Sequence, residues 1–182
     1  ELLDWLAAEL PGRDWSLKSM HRLLLTSATY QQVSRGVGKT WDRRLAADPD
    51  NRFYSRMNRR RLDGESLRDT LLVVGGWATQ RTGGPGVRPP LPREVTSTLL
   101  NNQWPVSTNR EDHHRRSVYL FARRNLRYPL FDLFDRPDGT ASCGRRKEST
   151  TAPQSLILLN SGFSLTMAKV LAKRCKDGET PV

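Results

Sequence analysis

Between Thr79 and Pro92 this chain can form neither a helix nor the interior strand of a sheet. From Thr82 the run reads TGGPGVRPPLP. Each proline fixes φ and lacks the N–H that a helix or a ladder needs, and each glycine resists ordering. The segment has to be an extended loop. It would serve as a domain linker, but Val87, Leu91 and the prolines favour a long loop laid against an apolar surface. The regular elements must therefore lie on either side of it.

Before the loop the spacing predicts helices. Leu2, Leu3, Trp5, Leu6 and Leu10 recur at helical intervals up to Pro11-Gly12. Asp14 or Ser16 then caps a second helix, with Leu17, Met20, Leu24 and Ala28 on one face. Leu23, Leu25 and Tyr30 widen that face, so this helix is expected to be well buried, with His21 a hydrogen-bonded core residue. Residues 34 to 48 read as a polar connection, and Asp48-Pro49 as the start of a short turn or helix carrying Phe53, Tyr54 and Met57. Asp63 caps a helix to about Val74, stopped by Gly75-Gly76.

After the loop, Asn101 to His114 is polar, with Trp104-Pro105 as an anchor. Ser117 to Ala122 alternates and is the best strand candidate, without an obvious partner. Pro129 opens a short helix, Leu130 to Phe134, and Pro137-Asp138-Gly139 is a turn. Ser149, Thr150 or Thr151 caps a last helix, with Pro153 in its first turn and Asp177-Gly178 at its end. The expected fold is mainly α: an irregular helical domain with a small β element and long ordered loops, a single domain over residues 1–182. The chain opens on Glu1-Leu2-Leu3 as though inside a helix, and reads as a piece of a longer protein.

The chain has 30 Lys and Arg against 19 Asp and Glu, a net charge of +11. Such a balance favours polyanionic partners. The arginines come in clusters: Arg43-Arg44, Arg59-Arg60-Arg61, Arg115-Arg116, Arg123-Arg124 and Arg145-Arg146. Pairing with Asp63, Glu65, Asp69, Asp132 and Asp135 is their ordinary use. No apolar run approaches the ~20 residues that span a membrane. Helix-turn-helix, zinc-finger and RNP-type patterns are absent, so nucleic-acid binding would rest on charge alone.

Residues 143 to 154 form the most suggestive site. They hold a thiol, two guanidinium groups, three hydroxyls and a helix start, where free N–H groups favour an anion. Arg145, Arg146, Ser149, Thr150 and Thr151, with Arg123 and Arg124, are the candidate anion-binding residues. Arg59, Arg60, Arg61 and Asp63 form a possible second cluster. Plain helix capping by the hydroxyls is the competing reading. Gly36-Val37-Gly38-Lys39-Thr40 resembles the end of a phosphate-binding loop, but Val33 stands where its first glycine belongs and no strand precedes it. His113-His114 beside Glu111 and Asp112 lacks a ligand geometry, so no metal site is expected and solvent exposure is. Cys143 and Cys175 have no zinc or haem spacing, and can form one disulfide. A thiolate at Cys143 would need a base, and the histidines are distant in sequence. Pairs of carboxylates exist, but pairs occur in almost any domain.

The stretches DWSLKSMHRLLLTSATYQQVS, DPDNRFYSRMNRRRLDGESLRD, GGPGVRPPLP, RRSVYLFARRNLRYPLFDLFD and SCGRRKESTTAPQSLILLNSGF together resemble the family called planctomycete-specific domain one, DUF1553. They follow the family's order and cover most of the chain, which looks like the central and later part of that domain. The resemblance implies a place towards the C-terminus of large exported proteins of planctomycetes and related bacteria, often linked to a cytochrome-c-like haem domain. It implies a periplasmic or cell-envelope location, where a disulfide is permitted, and it disfavours nucleic acid as partner. No CxxCH is present, so haem would belong elsewhere in the parent protein, and no cofactor is expected in this chain. The family has no settled activity, and no catalytic residue carries over.

The expected function is a non-catalytic module that binds neighbouring domains of its parent or an anionic ligand such as a glycan. A polysaccharide-processing enzyme, with acids from Asp63, Glu65 and Asp69 and with His21, is the second expectation. Nonspecific nucleic-acid binding through a basic surface is the third.

Overall fold

A computed structural model describes residues 1–97, 99 and 103–178. The chain falls into two compact units, Glu1–Arg60 and Arg61–Val182. Among the described residues the regular structure is helical: α1 Leu2–Gly12, α2 Leu17–Leu25, α3 Lys39–Ala47, α4 Gly64–Val74, α5 Arg93–Thr96, α6 Pro129–Leu133, α7 Ala152–Asn160 and α8 Gly162–Lys176, with 3-10 turns at Arg110–His114 and Ser117–Tyr119. The mainly helical fold holds. The expected stretch from Asn101 begins outside the described residues.

The small β element is corrected. Among the described residues no strand forms, only the isolated bridges Val87–Leu120 (parallel) and Arg123–Leu126 (antiparallel). Ser117 is the reason. Its N–H and Oγ both donate to Asp69 Oδ1, at 2.7 and 2.6 Å. That grip bends Ser117–Tyr119 into a 3-10 turn, and Leu120 N donates back to the Ser117 carbonyl at 3.1 Å. The alternation of residues 117 to 122 survives as one buried side chain, Leu120, beside Val87.

The first unit holds α1 to α3. Ser16 Oγ caps α2 by accepting from Ser19 N at 3.2 Å. The expected burial of α2 is not found: Met20 alone is buried, while Leu17, Leu24 and Leu25 are exposed, as is His21. The polar connection of residues 34 to 48 contains α3, which the sequence reading did not anticipate. Asp48 folds the segment after it, accepting from Arg52 N at 2.7 Å and Phe53 N at 2.9 Å, so this is a carboxylate-stabilised turn and not a helix.

The second unit is built on α4. Asp63 Oδ1 accepts from Ser66 N at 2.7 Å as its cap, and the helix buries Gly64, Arg68 and Leu72 at four-residue steps. One core joins Val87, Leu120, Leu130, Phe131 and Phe134. A second joins Leu91, Trp104 and Leu126. The Pro-rich loop thus packs on the unit as expected, and Trp104 anchors it by donating from Nε1 to the Pro89 carbonyl at 2.8 Å. The last helix is two. Ser161 leaves the helical region and caps α8, accepting from Ser164 N at 3.1 Å, and α7 and α8 lie 59° apart. No single helix among the described residues is long and apolar enough to cross a membrane.

Candidate functional site

Arginine holds the second unit together in two ways. The first is by ion pairs, and each acid proposed as a partner has one. Arg61 meets Asp135 at 2.7 Å, Arg127 meets Asp132 at 2.6 Å, and Arg116 and Arg68 flank Asp69 at 3.9 and 3.7 Å. Arg146 meets Glu65 at 3.0 Å and Asp63 at 3.4 Å. The second is by clamping main-chain carbonyls. Arg68 donates to the carbonyls of Arg115 and His113 at 2.9 and 2.6 Å, Arg115 to those of Pro85 and Gly83, and Arg123 to that of Gln103. A guanidinium offers five donors in a rigid fork, so one side chain can satisfy several loop carbonyls that no helix or sheet covers.

A small hollow of about 220 Å³ opens beside this frame. The Arg123–Leu126 bridge closes a tight turn with Arg124 and Asn125 at its tip. Arg123, Arg124, Arg127 and Arg136 line the hollow with Phe121, Tyr128 and Asp138. Arg127 is held by Asp132, and Arg136 reaches Glu65 at 3.6 Å. Arg123 is bonded to a neutral carbonyl, and Arg124 is exposed with no ion pair among the described residues. Their two positive charges therefore stand without an acid partner among the described residues. Among the described residues Asp138 is the single carboxylate of the lining, held below the usual aspartate range first by the Thr140 N–H and then by the Thr140 hydroxyl.

A larger cleft of about 530 Å³ opens between the Pro-rich loop and α8. Trp77, His114, Tyr128 and Phe163 supply its aromatic lining, and Arg68, Arg93 and Glu94 its charges. Arg68 lies 5.9 Å from the Tyr128 ring and 5.8 Å from the Phe163 ring. Trp77 and His114 stack with centroids 4.7 Å apart. Burial, and then the charges of His113 and Arg68, push the His114 imidazole below its usual range, so it is neutral at pH 7. His113 donates from Nε2 to the Ser107 carbonyl at 2.8 Å. Both histidines are half-buried, which corrects the expected solvent exposure. Among the described residues no group of three or more His, Cys, Asp or Glu could hold a metal ion.

A family model described as PSD1, protein of unknown function (DUF1553), matches residues 1–181. The chain belongs to the DUF1553 family. No curated protein and no solved structure matches it.

In this DUF1553 chain the residues singled out from sequence go to different places. Arg123 and Arg124 line the arginine hollow, whereas Arg145, Arg146, Ser149, Thr150 and Thr151 do not. Arg146 grips Glu65 and Asp63, and Ser149 donates from N and Oγ to Asp135 at 2.8 Å each. Thr151 N donates to Gln154 Oε1 at 3.2 Å at the start of α7. Arg145 and Thr150 are exposed, and so are the thiols of Cys143 and Cys175, both free. In the second cluster Arg61 goes to Asp135 and Asp63 to Ser66 and Arg146, while Arg59 and Arg60 are exposed. Sequence reasoning missed Arg127 and Arg136 in the hollow, and Arg68, Trp77 and Phe163 in the cleft. The signal for the first two was present: they bracket the α6 helix next to the Arg123-Arg124 pair.

Proposed function

We propose that this chain is a non-catalytic recognition module for an anionic ligand, with the arginine hollow as its binding site. The observation that carries the reading is the pair Arg123 and Arg124, whose charges have no acid partner among the described residues, beside Arg127 and Arg136 in one concave site. About 220 Å³ suits a single charged group, such as the sulfate or carboxylate of one sugar unit of a glycan. Arginine forks match both groups in bidentate geometry. Phe121 and Tyr128 add apolar surface for the body of the ring. A passive role is supported by the acids: Asp63, Glu65, Asp69, Asp132 and Asp135 are each engaged by arginine. The family resemblance implies an exported, periplasmic or cell-envelope parent, with its other domains as further partners and any haem among them.

Calorimetric titration with sulfated, uronic and neutral oligosaccharides and with DNA, at two salt concentrations, tests this. Saturable binding to one anionic class is expected, lost in Arg123→Ala/Arg124→Ala and kept in Arg145→Ala. Weak binding to every polyanion, abolished by salt, would reduce the site to the net charge alone. Loss in Arg145→Ala with retention in Arg123→Ala/Arg124→Ala would move the site to the loop before α7.

One observation favours a second reading, a polysaccharide-processing enzyme. The neutral His114 and the carboxylate of Glu94 line the same cleft, and a neutral imidazole is a competent base. New reducing ends released from a glycan panel, and lost in His114→Ala, would establish it.

A further inference from the structure

The cleft between the Pro-rich loop and α8 has a buried cation in its wall. Arg68 is 1% exposed, and its guanidinium carbon lies 5.9 Å from the Tyr128 ring and 5.8 Å from the Phe163 ring. Both rings line the cleft, so the guanidinium end of Arg68 is the part that faces it. Nη1 donates to the Arg115 carbonyl and the Ser117 hydroxyl, and Nη2 to the His113 carbonyl. Nε has no hydrogen-bond partner among the described residues. A buried donor left without an acceptor is costly, most of all on a charged group.

The charge is met as poorly as the donor. Among the described residues the one carboxylate within reach is Asp69, 3.7 Å from Nη1. The oxygen at that distance already accepts from the Ser117 N–H and hydroxyl, and the other faces Arg116 at 3.9 Å. Arg93 and Glu94 line the cleft as well, but their charges offset each other.

A second, independent feature points the same way. Helix α8 starts at this cleft, where Ser161, Gly162 and Phe163 line it. Its 15 residues present a positive end there. Ser161 Oγ takes the Ser164 N–H, while those of Gly162 and Phe163 have no acceptor among the described residues. Two cationic features thus share one wall, and both lack an anion.

Much of the remaining wall is ring surface. Trp77, stacked on His114 at 4.7 Å, joins Tyr128, Phe163 and the prolines of the loop. Such rings favour a flat apolar body. A sugar fits less well, because the Ser161 and Thr166 hydroxyls are already bonded within α8. About 530 Å³ lies within the usual range of small-ligand sites, ~300–1,000 Å³.

We propose that this cleft binds a small aromatic carboxylate, its ring among Trp77, Tyr128 and Phe163 and its carboxylate between Arg68 and the start of α8. Among the described residues the cleft shares Tyr128 alone with the arginine hollow, so it can be filled whether or not a glycan occupies the hollow.

Calorimetric titration of the 182-residue chain with 2-naphthoate and with its neutral counterpart 2-naphthamide tests the site. 2-Naphthoate should bind saturably and at least tenfold tighter than the amide. That comparison reads the charge in the wild-type protein, where Arg68 keeps its structural bonds. Gly162→Asp puts a carboxylate into the first turn of α8, where a Cβ meets nothing within 4 Å and an acid suits the helix. This variant should keep its circular dichroism and thermal melting, bind 2-naphthoate at least tenfold more weakly and leave the amide unchanged. Phe163→Leu should weaken both probes, and Arg123→Ala/Arg124→Ala neither. Absence of saturable binding overturns the proposal, as does an amide bound as tightly as the carboxylate. Octanoate bound more tightly than 2-naphthoate overturns the aromatic occupant. Binding lost in Arg123→Ala/Arg124→Ala and kept in Gly162→Asp also overturns the proposal, and assigns the carboxylate to the hollow.

Discussion

Arg146 and Glu65 stand 81 positions apart and meet fork to fork, with Nη1 3.0 Å from Oε2 and Nη2 3.1 Å from Oε1. This pair fastens the loop before α7 to the first turn of α4. Arg146 is 45% exposed, so water and salt screen the bond, and a pair of this kind is worth about 0.5–1 kcal/mol. Glu65 also faces Arg136 at 3.6 Å. Arg146 in turn faces Asp63 at 3.4 Å, so Glu65→Ala and Arg146→Ala each remove two charge contacts and should destabilise about equally. A double-mutant cycle by urea unfolding should give a coupling within that range, shrinking in 1 M salt, about the concentration at which the Debye length is ~3 Å. Additive single effects would mean that the fork is not formed in solution.

Asp135 makes the same loop acid-sensitive. Its carboxylate lies below the usual aspartate range chiefly because Ser149 N–H donates to it; burial opposes, and the Ser149 hydroxyl and Arg61 help. Asp63 is also lowered: burial works against ionisation there, and Ser66 and the charges of Arg146 and Arg61 outweigh it. A carboxylate with a depressed folded pKa takes up protons more readily when unfolded. Its stabilisation is complete above the unfolded value of about 3.9 and is lost as pH falls through the lower folded value. Wild-type stability should fall steeply below about pH 4. Asp135→Asn should be less stable at pH 7 and show a shallower fall. Parallel pH profiles for the two proteins would remove Asp135 from the account.

Asp138 opposes the proposed ligand. Among the described residues it is the one carboxylate in the hollow of Arg123, Arg124, Arg127 and Arg136, and it is ionised at neutral pH. Asp138→Asn removes that repulsion and keeps an acceptor for the Thr140 N–H, 2.9 Å away. At an exposed site the gain is small, about two- to fivefold in affinity for an anionic sugar. Calorimetry of the variant against wild type reads it directly. Unchanged affinity would place the anion elsewhere.

The parts of this fold that are legible in the sequence are those decided by local chemistry. Asp63 before α4, Pro129 at the start of α6 and the Pro-rich loop each carry their own signal, and each behaves as its residues require. The parts that fail are decided at a distance. Ser117 to Ala122 has the alternation of a strand, and Asp69, 48 positions away, bends it instead. The helix break at Ser161 has only a serine and a glycine to announce it. The hollow was half visible, through Arg123 and Arg124, because adjacent arginines stand out; Arg127 and Arg136 join them only once α6 folds. Arg68 was hidden by its neighbours Leu67 and Asp69. A cation in step with Gly64 and Leu72 on the buried face of α4 was the sign available, and it is 1% exposed.

Gly64 sets how closely α4 can approach α6. A Cβ built there would lie 2.9 Å from Phe131 Cα and 3.2 Å from the Leu130 carbonyl oxygen. Both neighbours are main-chain atoms of a helix, so neither can move alone. Alanine in the first turn of a helix is otherwise favourable, by up to about 1 kcal/mol over glycine. Overpacking costs about 1–3 kcal/mol, and here it displaces α6 together with Phe131, a fully buried ring of the core. The clash wins, and Gly64→Ala should lower stability by about 1–2 kcal/mol. Chemical denaturation followed by tryptophan fluorescence measures it. A variant more stable than wild type would show that α4 and α6 are not in contact at Gly64.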